Sequence, residues 1–248
     1  MEKYLPTGAL TGGDLRLELT LANANESVVC TNAPKWTMSD MTLELEYTEL
    51  NSEAGRMLEQ QNANGYFISF DSFQNFASAV GADENNMNIL IPARFSALKT
   101  LFTVARNQTT ALDRASKSIS QRRNPFLDAG SWYYNVGGRH FPATPIRRSV
   151  EAYAELLKSV HALGCVSGVP SLIDYSIWTA SNGAFIASAD LESMIGKSKL
   201  ASAGVNTLSI NTHLIGDRSG TIDALRIDTF AHYEGILIIQ NGIAMVQF

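Results

Sequence analysis

The chain has 248 residues, of which 45% are hydrophobic and 17% charged, and its formal net charge at pH 7 is −5. This balance excludes a disordered chain, because disorder goes with low hydrophobicity and high net charge. The negative charge gives no overall signal for nucleic-acid binding, and no apolar run approaches the roughly 20 residues that span a bilayer. We expect one large or two small globular domains.

Four segments alternate apolar and polar residues, which is the pattern of a β-strand with one buried face. In chain order they are 15–22, 42–50, 205–214 and 221–229. Seven further strands are predicted at 66–70, 88–91, 98–104, 132–136, 184–190, 235–240 and 243–248. The residues expected to face inward are Leu43, Leu45, Tyr47, Leu208, Ile210, Leu225 and Ile227. Short strands of this number indicate an antiparallel β-sandwich or barrel.

Two connections between the predicted strands have helical patterns. The first helix is expected over 52–61, with Asn51 or Ser52 as its cap. The second is expected to begin with Thr144 as cap and Pro145 in the first turn, where a missing backbone donor costs nothing. Near the C-terminus, the dipeptide between the last two strands is Asn-Gly, which is the strongest signal of a tight hairpin.

No motif of a catalytic or metal site accompanies these elements. Ile195–Ser198 resembles the end of a phosphate-binding loop, but the position that requires glycine is Leu191. The four histidines form no His-x-His pair, and His213 is expected on a solvated strand face. Asp223 and Asp228 share a predicted strand but face opposite sides of it, so they make no acid–base pair. We therefore predict no enzyme, no metal and no cofactor.

A basic stretch between Arg106 and Arg148 is the main electrostatic feature. Eight basic residues there meet only Asp113 and Asp128, so the stretch carries +6 and the rest of the chain −11. A solvated loop that pairs with nearby acidic faces is one interpretation. The other is contact with an acidic partner, either a neighbouring subunit, which we favour, or nucleic acid. The candidate contact residues are Arg114, Lys117, Arg122, Arg123, Trp132, Tyr133 and Arg139.

Several segments resemble a viral family. Trp36–Leu50, followed by an acidic helix start and Tyr66–Ser69, resembles the opening of the second jelly roll in double jelly-roll major capsid proteins. These are proteins of tailless double-stranded DNA viruses: virophages, polinton-like viruses and nucleocytoplasmic large DNA viruses. Gly12–Leu21 resembles the strand that closes the first roll. The resemblance continues through Arg94–Phe102, Trp132–Pro145, Phe185–Glu192 and Phe230–Phe248.

This resemblance implies an all-β, antiparallel Greek-key jelly roll with two short helices in its connections. Residues 1–30 would be a flanking strand from the end of a first roll, and 31–248 the jelly-roll domain. The implied function is that of a capsid subunit that trimerises and tiles an icosahedral shell. Its implied partners are identical subunits and other capsid proteins, with weak nucleic-acid contact and no membrane span.

The implied location is the virion, after synthesis inside the host cell. Cys30 and Cys165 agree with this, because their spacing indicates neither a metal site nor a disulfide framework. The alternative function is a jelly-roll module that binds carbohydrate or a cell surface. It requires an exposed aromatic platform, for which Trp178 beside Asn182 is the candidate.

Overall fold

The structure is a computed structural model. It describes residues 5–10, 16–21, 24, 35, 37–82, 84–108, 124–126, 130–160, 175, 178, 185–192, 204–218 and 224–248. The strands are β1 (Tyr66–Val80), β2 (Asn86–Ile91), β3 (Leu98–Asn107), β4 (Trp132–Val136), β5 (Arg139–Ile146), β6 (Ala187–Asp190), β7 (Thr212–Asp217), β8 (Leu225–Gln240) and β9 (Ile243–Gln247). The helices are α1 (Ser52–Gln61), α2 (Ser149–Ser159) and a short 3₁₀ turn at Thr7–Ala9.

The strands form two antiparallel sheets. One has the order β1-β8-β3-β6, with β9 also paired to β8, and the other has the order β2-β7-β4-β5. Most neighbours in a sheet are distant in the sequence, so the chain crosses repeatedly between the sheets. Eight strands in two four-stranded sheets make a complete jelly roll, to which β9 is added. The predicted jelly-roll sandwich is confirmed.

The core lies between the sheets and follows the period-two pattern. In β2, Met87, Ile89 and Ile91 are buried while the intervening residues are exposed. In β8, Leu225 and Ile227 are buried as predicted.

A buried tyrosine connects the two sheets through polar groups. The Tyr134 hydroxyl on β4 donates to Thr103 Oγ1 on β3 at 2.8 Å. Thr103 is in turn 2.9 Å from the hydroxyl of Thr229 on β8. Burial strongly raises the pKa of Tyr134, and the hydrogen bond with Thr103 opposes this only in part. The phenol therefore stays neutral and remains a donor in the core.

The last hairpin agrees with the sequence, while Gly235 has an unexpected position. Asn241 and Gly242 connect β8 to β9, and both have positive φ, as a tight hairpin turn requires. The strands predicted at 221–229 and 235–240 are one continuous β8. Gly235 lies inside it opposite Phe70, and a Cβ there would come within 2.6 Å of the Phe70 ring. The lack of a side chain at Gly235 leaves room for the Phe70 ring, and the strand continues through this glycine instead of starting there.

The two helices differ in how well the sequence predicted them. Helix α1 begins where expected, and Asn51 Oδ1 accepts a hydrogen bond from the Ala54 N–H at 2.8 Å. Helix α2 begins at Ser149, so the start predicted at Thr144–Pro145 is wrong. Those two residues belong to β5, which is an edge strand and therefore tolerates proline.

The strands predicted at 15–22 and 42–50 are not part of the sandwich. The described residues 16–21 and 37–50 are exposed and belong to no sheet, with Leu45 71% and Tyr47 77% exposed. The expectation that Leu43, Leu45 and Tyr47 face the core is therefore wrong. The physical reason is that β1 to β8 already complete both sheets, so none of the described strands covers the alternating segments.

The predicted strand at 205–214 is also displaced. Its regular part starts at Thr212, and Val205 makes only an isolated bridge to Leu98. Leu208 is consequently exposed in the preceding turn, against expectation, whereas Ile210 is partly buried against the core.

Truncation of core residues tests this assignment. We expect Leu101→Ala and Ile227→Ala each to lower the free energy of unfolding by about 2–5 kcal/mol, as fully buried large-to-small changes do. Leu45→Ala is the matched control and should change it by less than about 0.5 kcal/mol, because that side chain is exposed. Urea titrations measure all three, and equal losses at Leu45 and Leu101 would contradict the assignment.

Candidate interaction surfaces

The predicted contact residues do not share one surface. Trp132 is 2% exposed and stacks on Phe126 at 5.6 Å between ring centroids, so its side chain belongs to the core. Tyr133 points the other way and is half-buried on the outer face of the four-stranded sheet. Arg139 is exposed at the start of β5. Arg114, Lys117, Arg122 and Arg123 lie outside the described residues.

The outer face of the four-stranded sheet is mixed in polarity around Tyr133, whose partner on β7 is Ile215. The Tyr133 ring lies 4.3 Å from that of His140. His213, which was expected to be solvated, is half-buried, and its Nδ1 is 2.8 Å from Asn88 Oδ1. Asn135 on β4 is paired with His213 on one side and His140 on the other. This face presents hydrogen-bonding groups, the rings of Tyr133 and His140, and the apolar side chains of Leu90 and Ile215.

One arginine of the predicted basic stretch is part of the fold. The Arg106 guanidinium pairs with the carboxylate of Asp228, whose side chain is almost fully buried. Arg226 Nε also lies 3.2 Å from that carboxylate. Arg106 therefore links β3 to β8 and is not available to a partner. Asp223, the other carboxylate considered in the sequence, lies outside the described residues.

The other described arginines of the stretch are exposed at the two ends of β5. Arg139 lies at its start, and Arg147 and Arg148 follow its end. Their guanidinium groups make no ion pair with a described carboxylate. Glu151 Oε2 accepts from the backbone N–H groups of Arg147 and Arg148 at 3.2 and 3.4 Å, and so caps α2. Glu155 is engaged by Lys158 at 2.9 Å.

A groove runs between β5 and α2 beside these arginines. Its volume is about 690 Å³. The apolar part of its wall consists of Pro142, Pro145, Ile146 and Ala154, and Arg147 and Arg148 line it as well. Thr144, Glu151 and Glu155 complete the wall, so the groove combines an apolar part with charges of both signs.

A buried lysine cluster, which the sequence did not predict, joins the elements of the five-stranded sheet. Lys99 on β3 is 6% exposed, and its Nζ lies 2.7 Å from Asp71 Oδ1 on β1. It also lies 3.8 Å from Glu234 on β8 and 3.9 Å from Glu192 just after β6. A β-bulge beside Leu98 interrupts the alternation of the strand. The period-two pattern therefore does not predict which face the Lys99 side chain occupies.

The features required by the alternative functions are not found where they were expected. Trp178 is 1% exposed and packs 4.8 Å from Phe185, so the exposed aromatic platform for carbohydrate is wrong. Asn182 and the segment 195–198 lie outside the described residues. Within the described ranges, no group of His, Cys, Asp and Glu is arranged to hold a metal, and no helix is long and apolar enough to span a membrane.

Comparison with known proteins finds solved structures that have a similar fold. No protein-family model and no curated protein matches the chain. A solved structure of VP54 from PBCV-1, fitted into a cryo-EM reconstruction of the virophage Sputnik, matches with a TM-score of 0.51 and 12% identity. That match covers 80% of this chain and 55% of the other, so the chain spans about half the length of VP54.

Two further structures are similar to a smaller degree. A quasi-atomic model of the PBCV-1 capsid gives a TM-score of 0.45 at 12% identity and covers 77% of this chain and 54% of that one. A cryo-EM structure of the Sputnik virophage gives 0.38 at 12% identity, with 74% and 39% covered. The VP54 match shows the fold, and it confirms the predicted resemblance to jelly-roll capsid proteins at that level.

Removal of the buried lysine is a direct test of the cluster. Lys99→Met should lower the free energy of unfolding by about 3–5 kcal/mol, because it removes the ammonium group that lies beside the buried carboxylates of Glu192 and Glu234. Lys158→Met is the control: its pair with Glu155 is partly exposed, and we expect a loss below about 1 kcal/mol. Urea titration provides both values.

A second variant separates charge from packing. Adding Glu234→Gln to Lys99→Met should restore part of the lost stability, since one buried negative charge is removed. A double variant no more stable than Lys99→Met would contradict the electrostatic account.

Proposed function

We propose that the chain is a structural virion protein, a subunit of a major capsid protein that assembles with identical copies into an icosahedral shell. The strand order β1-β8-β3-β6 facing β2-β7-β4-β5 carries this proposal. It is the jelly-roll order, in a chain whose fold is similar to that of a protein placed in a viral shell. The role is mechanical: a closed roll provides a rigid body whose loops and outer faces contact neighbours.

The surface of the roll supports assembly. Besides the segments before α1, large apolar side chains are exposed on β1 and β9, including Phe67, Phe73, Ile243 and Met245. Exposed apolar residues in this number are typical of a protein that buries them against partners. We propose a homotrimer, located in the virion and made inside the host cell.

The domain division is also a proposal. We assigned residues 1–30 to a flank and 31–248 to the roll. In the described residues, the first strand of the sandwich begins at Tyr66, and α1 has no buried residue. This favours a flank that extends from the N-terminal segments through residue 50 and makes its contacts outside its own roll.

Native mass is the first measurement. Light scattering of the purified chain should give three times its 27.0 kDa, or assemblies of that unit, because a capsid subunit buries apolar surface on its neighbours. A soluble monomer at high concentration that binds no hydrophobic dye would contradict the proposal.

The basic stretch separates subunit contact from nucleic-acid contact. Arg122→Glu with Arg123→Glu should impair assembly and leave the unfolding curve unchanged if the basic stretch acts on association between subunits. Arg56→Glu, an exposed change on α1, serves as the control. DNA binding that falls steeply with salt and is abolished by the double reversal, with assembly intact, would favour nucleic acid.

A further inference from the structure

We propose that residues 37–50 of one copy, called the arm below, dock along β5 and into the groove between β5 and α2 of a second copy. The inference rests on the assembly role proposed above and names the surfaces that carry it.

The described residues of the roll leave the arm uncovered. Every residue from 37 to 50 is exposed and none belongs to a sheet. Leu43, Leu45 and Tyr47 share one side of the extended chain, and Glu44 and Glu46 share the other. Such alternation is typical of a segment with one covered face. The eight described strands of the roll are already paired with each other, so none of them covers this side of the arm.

The groove matches the apolar side of the arm. Its volume of about 690 Å³ lies within the range of roughly 300–1,000 Å³ of sites that enclose small ligands. Pro142, Pro145 and Ala154 offer an apolar lining for leucine and tyrosine side chains, whereas Ile146 is almost fully buried in the core. The two prolines deprive β5 of two backbone donors, so the contact depends on side chains more than on a continuous strand ladder.

The charges are complementary. The arm contains Asp40, Glu44, Glu46 and Glu49 and no basic residue. None of these carboxylates has a described ion-pair partner. The receiving surface presents Arg139, Arg147 and Arg148, also without a described carboxylate partner. Its own acids, Glu151 and Glu155, are engaged by the α2 cap and by Lys158.

The spacing of the charges agrees as well. Asp40 and Glu49 are nine positions apart, and so are Arg139 and Arg148. Asp40 has a positive φ and Arg148 lies beyond the end of β5, so the extended parts to compare are 41–49 and Arg139–Ile146, which at about 3.3 Å per residue span about 26 and 23 Å. An arm that lies along β5 therefore brings acidic ends to both basic ends. The contact joins two different surfaces, and repeated head to tail it closes into a ring such as a trimer.

Photo-crosslinking in mixed isotopes identifies the receiving surface. Tyr47 is replaced by p-benzoylphenylalanine in ¹⁴N and ¹⁵N samples of the full chain, which are mixed and irradiated. We expect crosslinked peptides from residues 139–154 that pair one isotope with the other. Crosslinks within one copy, or to another surface such as β9, would overturn the docking.

Charge reversal tests complementarity. Glu44→Lys with Glu46→Lys, and separately Arg147→Glu with Arg148→Glu, should each weaken self-association by about tenfold or more. All four changes in one chain should restore association, because the charges are then exchanged. Sedimentation gives the affinities, and urea titration verifies folding. Glu53→Lys with Glu59→Lys on α1 is the matched control and should have no effect.

The outcomes separate this inference from the capsid role. Trimers that form equally well with either reversal, or with crosslinks elsewhere, overturn the docking and leave the capsid role standing. If Tyr47 crosslinks to the groove but the protein forms open chains or dimers and no trimers, the result supports the docking. The same result counts against the trimeric shell. A chain that remains monomeric overturns the docking. Reversals that weaken association without rescue by their combination overturn the charge pairing on which it rests.

Discussion

Strand β8 pairs with three strands along its sixteen residues, with β1 on one side and with β3 and then β9 on the other. The five-stranded sheet is organised around these pairings, and each requires residues far apart in the sequence to meet. Two charged contacts lie along the β3–β8 pairing. Arg106 and Arg226 meet Asp228 near the start of β8, and Lys99 meets Glu234 farther along the strand. A shift of register would separate these ions at sites where water is scarce, so they specify the alignment of the two strands as well as hold it.

Completion of the roll determines what the rest of the chain can do. Once β1 to β8 have paired, the alternating segments before α1 have no place in either sheet. Their leucines remain in water, and the carboxylates of residues 37–50 have no described ion-pair partner. The same closure leaves β5 as a proline-containing edge with arginines at both ends. The arm has an apolar side that no described residue covers, and β5 is an edge strand with exposed arginines at both ends. From these two features we infer contact between copies.

Charged residues in the interior of this protein have a different role from those at its surface. Arg106 and Lys99 are used inside the sheet, and their effect is on stability. Arg139, Arg147 and Arg148 lie at the surface, where they add little to folding and can act on association. Counting the basic stretch as one unit in the sequence combined these two kinds of residue. The apparent excess of positive charge available to a partner is therefore smaller than the sequence total.

The sequence by itself determined the elements whose signals are local. The Asn241-Gly242 hairpin, the Asn51 cap of α1 and the alternation in β2 follow from backbone and side-chain preferences within a few residues. Only the tertiary structure decided which alternating segments are buried. Periodicity shows which side chains can share a face, but burial needs a second surface, and Leu45 and Ile227 have the same pattern with opposite outcomes. The same reason placed Trp132 in the core and paired Lys99 with three carboxylates, since both depend on strands that are distant in the chain and adjacent in the fold.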